Sequence, residues 1–364
     1  MSKVIIIGGG ISGLSAGIFL LKKGYDVHLY EKNKYIGGCC SGWYRDNKYI
    51  DNCIHWLTGT NQHTNNFKLW KEIGALDEKS NLYQADYFYK TNLNNQSIAL
   101  YYDLEKTRQE MYKISIEDKN QIDKFINCTE KIKESLINHG KYKNTLNKIK
   151  GYFKLYTKYN NVSLEDLSNN FKHPLLKQLF IDYLPKCYSS FALIVSYATF
   201  ASGNGKMYCD GSLSFTNKIA NKFKKLGGNL YLEKPITNVI LENENIKYIL
   251  SDNDIIKGDY YIFSIDPFYI FNNLIPIDYM PKELYKRYMN DDEYITTSSY
   301  QAAYVAHTNE KFIKDTEVIS LCNKDYNDNN NDKSNNVGDY KNDIKYYNKD
   351  EYKDIDEYKD IDEY

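Results

Sequence analysis

Residues 3–38, KVIIIGGGISGLSAGIFLLKKGYDVHLYEKNKYIGG, constrain this chain more than any other stretch. Val4-Ile5-Ile6-Ile7 is a β-branched run of the length of a buried parallel strand. It runs straight into Gly8-Gly9-Gly10-Ile11-Ser12-Gly13, which satisfies G-x-G-x-x-G. Leu14, Ile18 and Leu21 then fall at helical spacing, Gly24 ends the helix, and Val27, Leu29 and Tyr30 form a second strand. Glu31 closes that strand, 18 residues after Gly13.

Each piece has a physical job in holding a dinucleotide. Gly8 permits the tight turn out of the strand, Gly10 leaves room for a pyrophosphate beside the backbone, and Gly13 lets the helix pack closely on the strand. The helix amides and the positive end of its dipole favour the phosphates. A carboxylate at Glu31 can accept hydrogen bonds from both hydroxyls of an adenosine ribose, and it disfavours a 2′-phosphate, hence NADP. A glycine-rich βα turn without a ligand is the alternative, and the context of strand, helix, strand and acid speaks against it. Val4 to Leu21 is uncharged, but its glycines and serines and its strand-then-helix pattern argue against a membrane span. With no basic n-region or cleavage site either, a cytoplasmic βαβ unit is the expectation.

The formal net charge of −1 provides no global basic field for nucleic acid. The 7 cysteines have no paired spacing and read as reduced thiols. Cys39, Cys40, Cys53 and His55 do not match a zinc pattern, so no metal site is expected.

After Glu31 come Gly37-Gly38-Cys39-Cys40-Ser41-Gly42-Trp43 and Tyr49-Ile50-Asp51-Asn52-Cys53-Ile54-His55-Trp56-Leu57. With these residues the chain resembles the superfamily of flavin-dependent phytoene desaturases, carotenoid isomerases and amine oxidases, and within it the phytoene-dehydrogenase-like oxidoreductases. The resemblance implies an α/β fold: a Rossmann-like FAD-binding domain of glutathione-reductase type, with an inserted, mainly helical or α+β substrate domain. It also implies that the fingerprint binds the ADP half of FAD and that Gly37 and Gly38 lie along the cofactor. The arginine that often follows the second diglycine in the superfamily is replaced here by Cys39.

Further on, Tyr208-Cys209-Asp210-Gly211-Ser212 precedes a helix lined by Ile219, Phe223 and Leu226 and capped by Gly227-Gly228. A strand at 229–233, an antiparallel meander over 236–256 and a buried strand at 260–263 follow. This order is similar to the family's second FAD segment, in which Ile236 matches the backbone contact to the adenine end. The cofactor residues that the resemblance implies are Gly8, Gly9, Gly10, Ile11, Ser12, Gly13, Glu31, Lys32, Gly37, Gly38 and Ile236. Asp51, His55 and Trp56 would lie beside the flavin ring. Asp51 and His55 are the only catalytic candidates; His55 suits a hydrogen bond or proton relay, and a histidine merely packed in the interior is the competing reading.

Residues 62–200 read as a largely helical insertion with a polar turn around Asn92 to Ser97. Trp70, Ile73 and Leu76 suggest one short helix, and Ile122, Ile126, Ile132 and Leu136 longer stripes. The stretch 149–159, IKGYFKLYTKY, mixes basic and aromatic residues. It suits a peripheral membrane contact, with an exposed helix face or a wall of the substrate domain as alternatives.

The expected organisation is 1–61 and 201–275 for the FAD-binding domain, 62–200 for the inserted domain, 276–322 for a partial substrate-domain segment, and 323–364 for a disordered tail. The tail is Asn-, Asp-, Lys- and Tyr-rich and ends in a repeated EYKDID. The glycine-rich C-terminal FAD contact of the resembled family is not found in this sequence, and truncation is the expected cause. The function implied is hydride transfer, or its equivalent, between an apolar isoprenoid-like substrate and flavin N5. An amine oxidase-like enzyme and an inactive flavoprotein remnant stay open beside it.

Overall fold

The computed structural model describes residues 1–45, 47–137, 153–289 and, as backbone, 319–321. All of these belong to one compact unit, Met1–Leu321; a second unit, Cys322–Tyr364, lies outside the described residues, and with it the tail read as disordered. So do residues 149–152 of the basic-aromatic stretch.

Strand β1 (Lys3–Ile7) is a sheet centre because both of its faces are apolar. Val4 and Ile6 join one core, with Leu14, Ile18, Phe215, Ile219 and Phe223. Ile5 and Ile7 join another, with Ile236, Val239, Ile249 and Ile256. A parallel strand covered on both sides needs this continuous run, whereas a one-sided strand would alternate. Around it stands a four-stranded parallel sheet in the order β10 (Asn229–Tyr231), β2 (Asp26–Tyr30), β1, β14 (Tyr260–Phe263). The pairs Val4–Val27, Val4–Tyr260 and Asn229–His28 set the register. The sheet therefore combines two strands from residues 3–30 with two from residues 229–263.

Helix α1 (Ile11–Lys22) and helix Ser212–Lys225 cover one face. Their approach is close: a Cβ at Gly17 would stand 2.5 Å from the Phe223 ring. The other face is covered by the antiparallel meander β11 (Asn238–Glu242), β12 (Asn245–Ser251) and β13 (Asp254–Ile256). The meander and the closing strand thus fall where the periodicity places them. The 212–225 helix ends at Leu226, followed by Gly227 with φ +92°, a left-handed residue of the expected kind.

The described part of residues 62–200 is largely helical, with helices at α2 (Asn65–Glu72), α3 (Leu104–Ile114), α4 (Lys119–Ile137), Leu164–Asn169, Pro174–Ile181 and Ser190–Ala201. Between α2 and α3, however, lie β6 (Leu82–Tyr83) and a hairpin of β7 (Tyr87–Leu93) and β8 (Gln96–Tyr101). The polar turn read from Asn92 to Ser97 is this hairpin's turn, with Asn94 and Asn95 both at positive φ. Two such residues between strands are the chemistry of a tight hairpin, and Ile98, Ala99 and Leu100 are all buried beneath it. Tyr89, Leu100, Met111, Ile122, Ile126, Phe180 and Tyr197 make this region's own core. Backbone 319–321 pairs in parallel with Lys90–Asn92 of β7.

The two cores meet through β9 (Gly205–Tyr208), which pairs antiparallel with β5 (Leu57–Thr58) and with β6. The first core also takes in Phe67, Ile73 and Leu76 of and after α2, so the chain leaves it only around β6 and returns through β9.

The packing of α1 on β1 gives a direct test. A Cβ at Gly13 would lie 2.1 Å from the Gly8 carbonyl oxygen, whereas at Gly24, with φ +85°, it would meet nothing within 4 Å. Gly13→Ala is expected to cost about 3 kcal/mol or more, and Gly24→Ala only ~1 kcal/mol of left-handed strain. Urea unfolding of both variants checks the order; equal losses would contradict the packing described.

Candidate functional site

At the carboxyl end of the parallel sheet two glycine loops are stitched together. Gly37 N–H donates to Gly9 O at 2.9 Å, and Gly10 and Gly37 form an isolated parallel bridge. Cys40 N–H then closes a turn on Gly37 O at 3.0 Å. A Cβ at Gly37, which has φ +121°, would stand 2.4 Å from Cys40 O, so this turn requires a glycine.

The glycines of the fingerprint divide by what they touch. Gly8 and Gly13 are needed by the chain itself: a Cβ on Gly8 would lie 2.5 Å from Ser264 O, and one on Gly13 against Gly8 O. Gly10 is different, for its Cβ would meet nothing nearer than Gly37 O at 3.9 Å. Its φ of −71° is open to any residue. The protein leaves this space beside the start of α1, where the N-cap is a glycine with no side-chain oxygen for the first-turn amides. That geometry fits a phosphate.

Glu31 is 6% exposed, and its carboxylate is held by the chain. Gly9 N–H donates to Oε2 at 2.7 Å and Asn33 N–H to Oε1 at 2.9 Å. A carboxylate has about four acceptor sites, so two amides fix its position and leave capacity for hydroxyl donors. The segment before the meander runs alongside: Lys234 N–H donates to Glu31 O at 2.9 Å and Glu233 N–H to Asn33 O at 3.2 Å. Ile236, two residues after Lys234, is buried in the core with Ile5 and Ile7. The Lys32 side chain is exposed.

Asp51 and His55, paired by sequence as catalytic candidates, have separate surroundings. Asp51 ends β4 (Lys48–Asp51), the partner of β3 (Gly42–Arg45). Its Oδ2 accepts from Ser212 N–H at 2.6 Å, and its Oδ1 from Ser212 Oγ at 2.6 Å and Cys53 N–H at 3.0 Å. Tyr49 Oη accepts from Leu213 N–H at 3.1 Å. The 212–225 helix begins at Gly211, which has no side chain to cap it, and the hairpin supplies the missing acceptors. Burial alone would raise the Asp51 carboxyl; the hydrogen bonds from Ser212, Cys53 and Ile54 outweigh it and hold the group below the usual carboxylate range. The Asp51 oxygens thus cap the start of the 212–225 helix, while His55 stands on a cavity wall.

That cavity, of about 90 Å³, lies where β6, β7 and β9 converge. His55, Trp56, Tyr83, Phe88, Tyr183, Phe200 and Met207 are among its lining residues. Trp56 and Phe88 meet edge to face at 5.8 Å. Burial pushes the Tyr183 phenol up, so it stays neutral near pH 7. Apart from His55 and Trp56, these residues escaped sequence reading. In a chain with 37 tyrosines and 15 phenylalanines, one more aromatic carries no signal. Among the described residues there is no cluster of His, Cys, Asp and Glu that could hold a metal ion.

A parallel sheet with a glycine fingerprint, an acid at the second strand's end and a second segment returning to it defines a dinucleotide-binding oxidoreductase fold. The profile of the flavin containing amine oxidoreductases matches residues 11–272, and the chain belongs to that family. It is 24% identical, over a 305-residue alignment, to a 4,4'-diaponeurosporene oxygenase of Staphylococcus aureus, covering 76% of this chain and 58% of that one. The chain thus spans less than two thirds of the curated relatives it matches. Among solved structures, an oxidoreductase from Methanosarcina mazei is similar with a TM-score of 0.52 and 14% identity, covering 77% of this chain and 62% of that one. Putrescine oxidase in complex with putrescine is similar with a TM-score of 0.50 and 18% identity, covering 79% and 62%. These two likenesses bear on the fold.

Asp51→Asn should lower stability by about 2 kcal/mol at pH 7, the scale of hydrogen bonds to a charged group. Since folding depresses the Asp51 pKa, its contribution is full above the unfolded carboxyl range, about pH 4, and is lost as pH falls through the folded value. The gap between wild type and variant should therefore close in acid. Denaturant unfolding from pH 7 to pH 3 checks this; a gap that stays constant would contradict the capping role.

Proposed function

We propose that this chain is an FAD-dependent oxidoreductase of the phytoene desaturase kind, acting on an apolar isoprenoid. Residues 1–61 and 201–275 would form its cofactor half, and 62–200 with 276–322 its substrate half. The observation that carries the reading is the unfilled space at Gly10, where the chain has no use of its own for a glycine. Gly8 to Gly13 would hold the pyrophosphate through backbone amides and helix dipole. Glu31 would accept from the ribose hydroxyls, Lys32 stands beside it, and Ile236 would cover the adenine end. Gly37 and Gly38 would lie along the cofactor, kept narrow so that its flat ring system can pass.

When bound, the flavin supplies the hydride-accepting chemistry. The chain's residues would orient the substrate and exclude water. Trp56, Phe88, Phe200 and Met207 suit an apolar chain of conjugated carbons, and the named substrate of the Staphylococcus relative is of that chemical class. His55, exposed at the wall, would hold or move a proton at its imidazole.

The described residues contain no helix long and apolar enough to cross a membrane. Phe153 (63% exposed) and Tyr156 lie on a helical stretch, 153–159, that also carries Lys154 and Lys158. We assign this face to a peripheral contact with the bilayer that would hold such a substrate. The family's description favours amine oxidation as the second reading.

Two measurements test the proposal. Gly10→Ala should leave apoprotein stability near wild type and weaken FAD binding at least ~10-fold, about 1.4 kcal/mol; unchanged binding in a fluorescence titration would remove the pyrophosphate from this loop. The FAD-loaded protein, mixed anaerobically with an acyclic polyene in vesicles, should bleach its flavin band and lengthen the polyene's conjugation. Bleaching by primary amines alone would favour the second reading, and bleaching by neither would exclude turnover by this chain.

A further inference from the structure

The β3–β4 hairpin carries a cysteine pair that the oxidoreductase reading does not use. Gly42 stands opposite Asp51 in its register, and Asn52 N–H donates to Ser41 O at 3.2 Å. Cys40 and Cys53 are the next residues beyond that bond on the two arms of the hairpin. Both side chains belong to one core cluster, Cys40 buried and Cys53 at its margin. The Cys53 thiol is a near enough neighbour to raise the Cys40 thiol.

We propose that Cys40 and Cys53 are a redox-active pair that closes to a disulfide with a low-molecular-weight disulfide such as oxidised glutathione. Cys53, the more accessible, attacks first: its thiolate forms a bond to one glutathione sulfur, the S–S bond breaks, and a glutathione thiol leaves with the proton. Cys40 then attacks Cys53 Sγ, forming the intramolecular bond and releasing the second glutathione thiol. The two cysteines lose two electrons and two protons, and one oxidised glutathione becomes two reduced molecules.

The order of attack follows from the surroundings. Burial, with the Cys53 thiol beside it, pushes the Cys40 thiol up to about 12, so it is a poor first nucleophile and waits for a disulfide at its side. Closure would act on the candidate cofactor loop, because Cys40 N–H closes the Gly37 turn and Cys53 N–H donates to the helix-capping Asp51. The bond would join the diglycine turn to the clamp on the 212–225 helix.

The test uses the full chain, equilibrated across ratios of reduced to oxidised glutathione, quenched with an alkylating agent and mapped by mass spectrometry. A peptide pair linked through Cys40 and Cys53, lighter by two hydrogens and restored by dithiothreitol, is expected in wild type and in Cys39→Ser. Cys40→Ser should instead retain glutathione on Cys53. Oxidised wild type should melt several degrees higher than reduced, a shift absent from Cys40→Ser. Alkylation of both thiols at every ratio, a stable mixed disulfide on wild-type Cys53, or a link through Cys39 would each overturn the proposal.

Discussion

The contact on which the site depends is that of α1 against β1. A Gly13 Cβ would have to occupy the place of the Gly8 carbonyl oxygen, so the helix starts as near the strand as two backbones allow. This closeness forces the tight turn through Gly8 and delivers the start of α1 to the sheet's carboxyl edge. Glu31 arrives at the same edge on the neighbouring strand, and its carboxylate binds the Gly9 amide at 2.7 Å. The diglycine loop then hangs on Gly9 O through Gly37 N–H. Three separate stretches are thereby fixed around one small space, left open by Gly10.

A second constraint ties the late part of the chain to this assembly. The 212–225 helix covers the sheet but starts at a glycine without a cap. Its amides are satisfied by Asp51 and Tyr49, more than 150 residues earlier. Buried helix ends without partners are costly, so the β3–β4 hairpin and this helix specify each other. Asp51 acts as a joint between the two.

Much of the first sheet was legible because its signals are local. The run Val4–Ile7, the glycine spacing, Glu31, and the Gly227-Gly228 stop each report on neighbouring residues in sequence. The β7–β8 hairpin was half legible: its Asn-Asn turn was visible, but neither YFYKTNL nor QSIALY alternates apolar with polar residues throughout. The aromatic cavity and the Asp51 clamp were not legible at all. Both are made by residues far apart in sequence, such as Trp56 with Phe200 and Asp51 with Ser212, and no spacing rule encodes such meetings.

The central claim is that this assembly is an FAD site, and the absorption spectrum of the purified chain tests it most directly, taken before and after heat release. The account predicts flavin bands near equimolar with protein, or their appearance on adding FAD, and a released compound that is FAD rather than FMN. A colourless protein that takes up no FAD would contradict it, whatever the similarity of its fold.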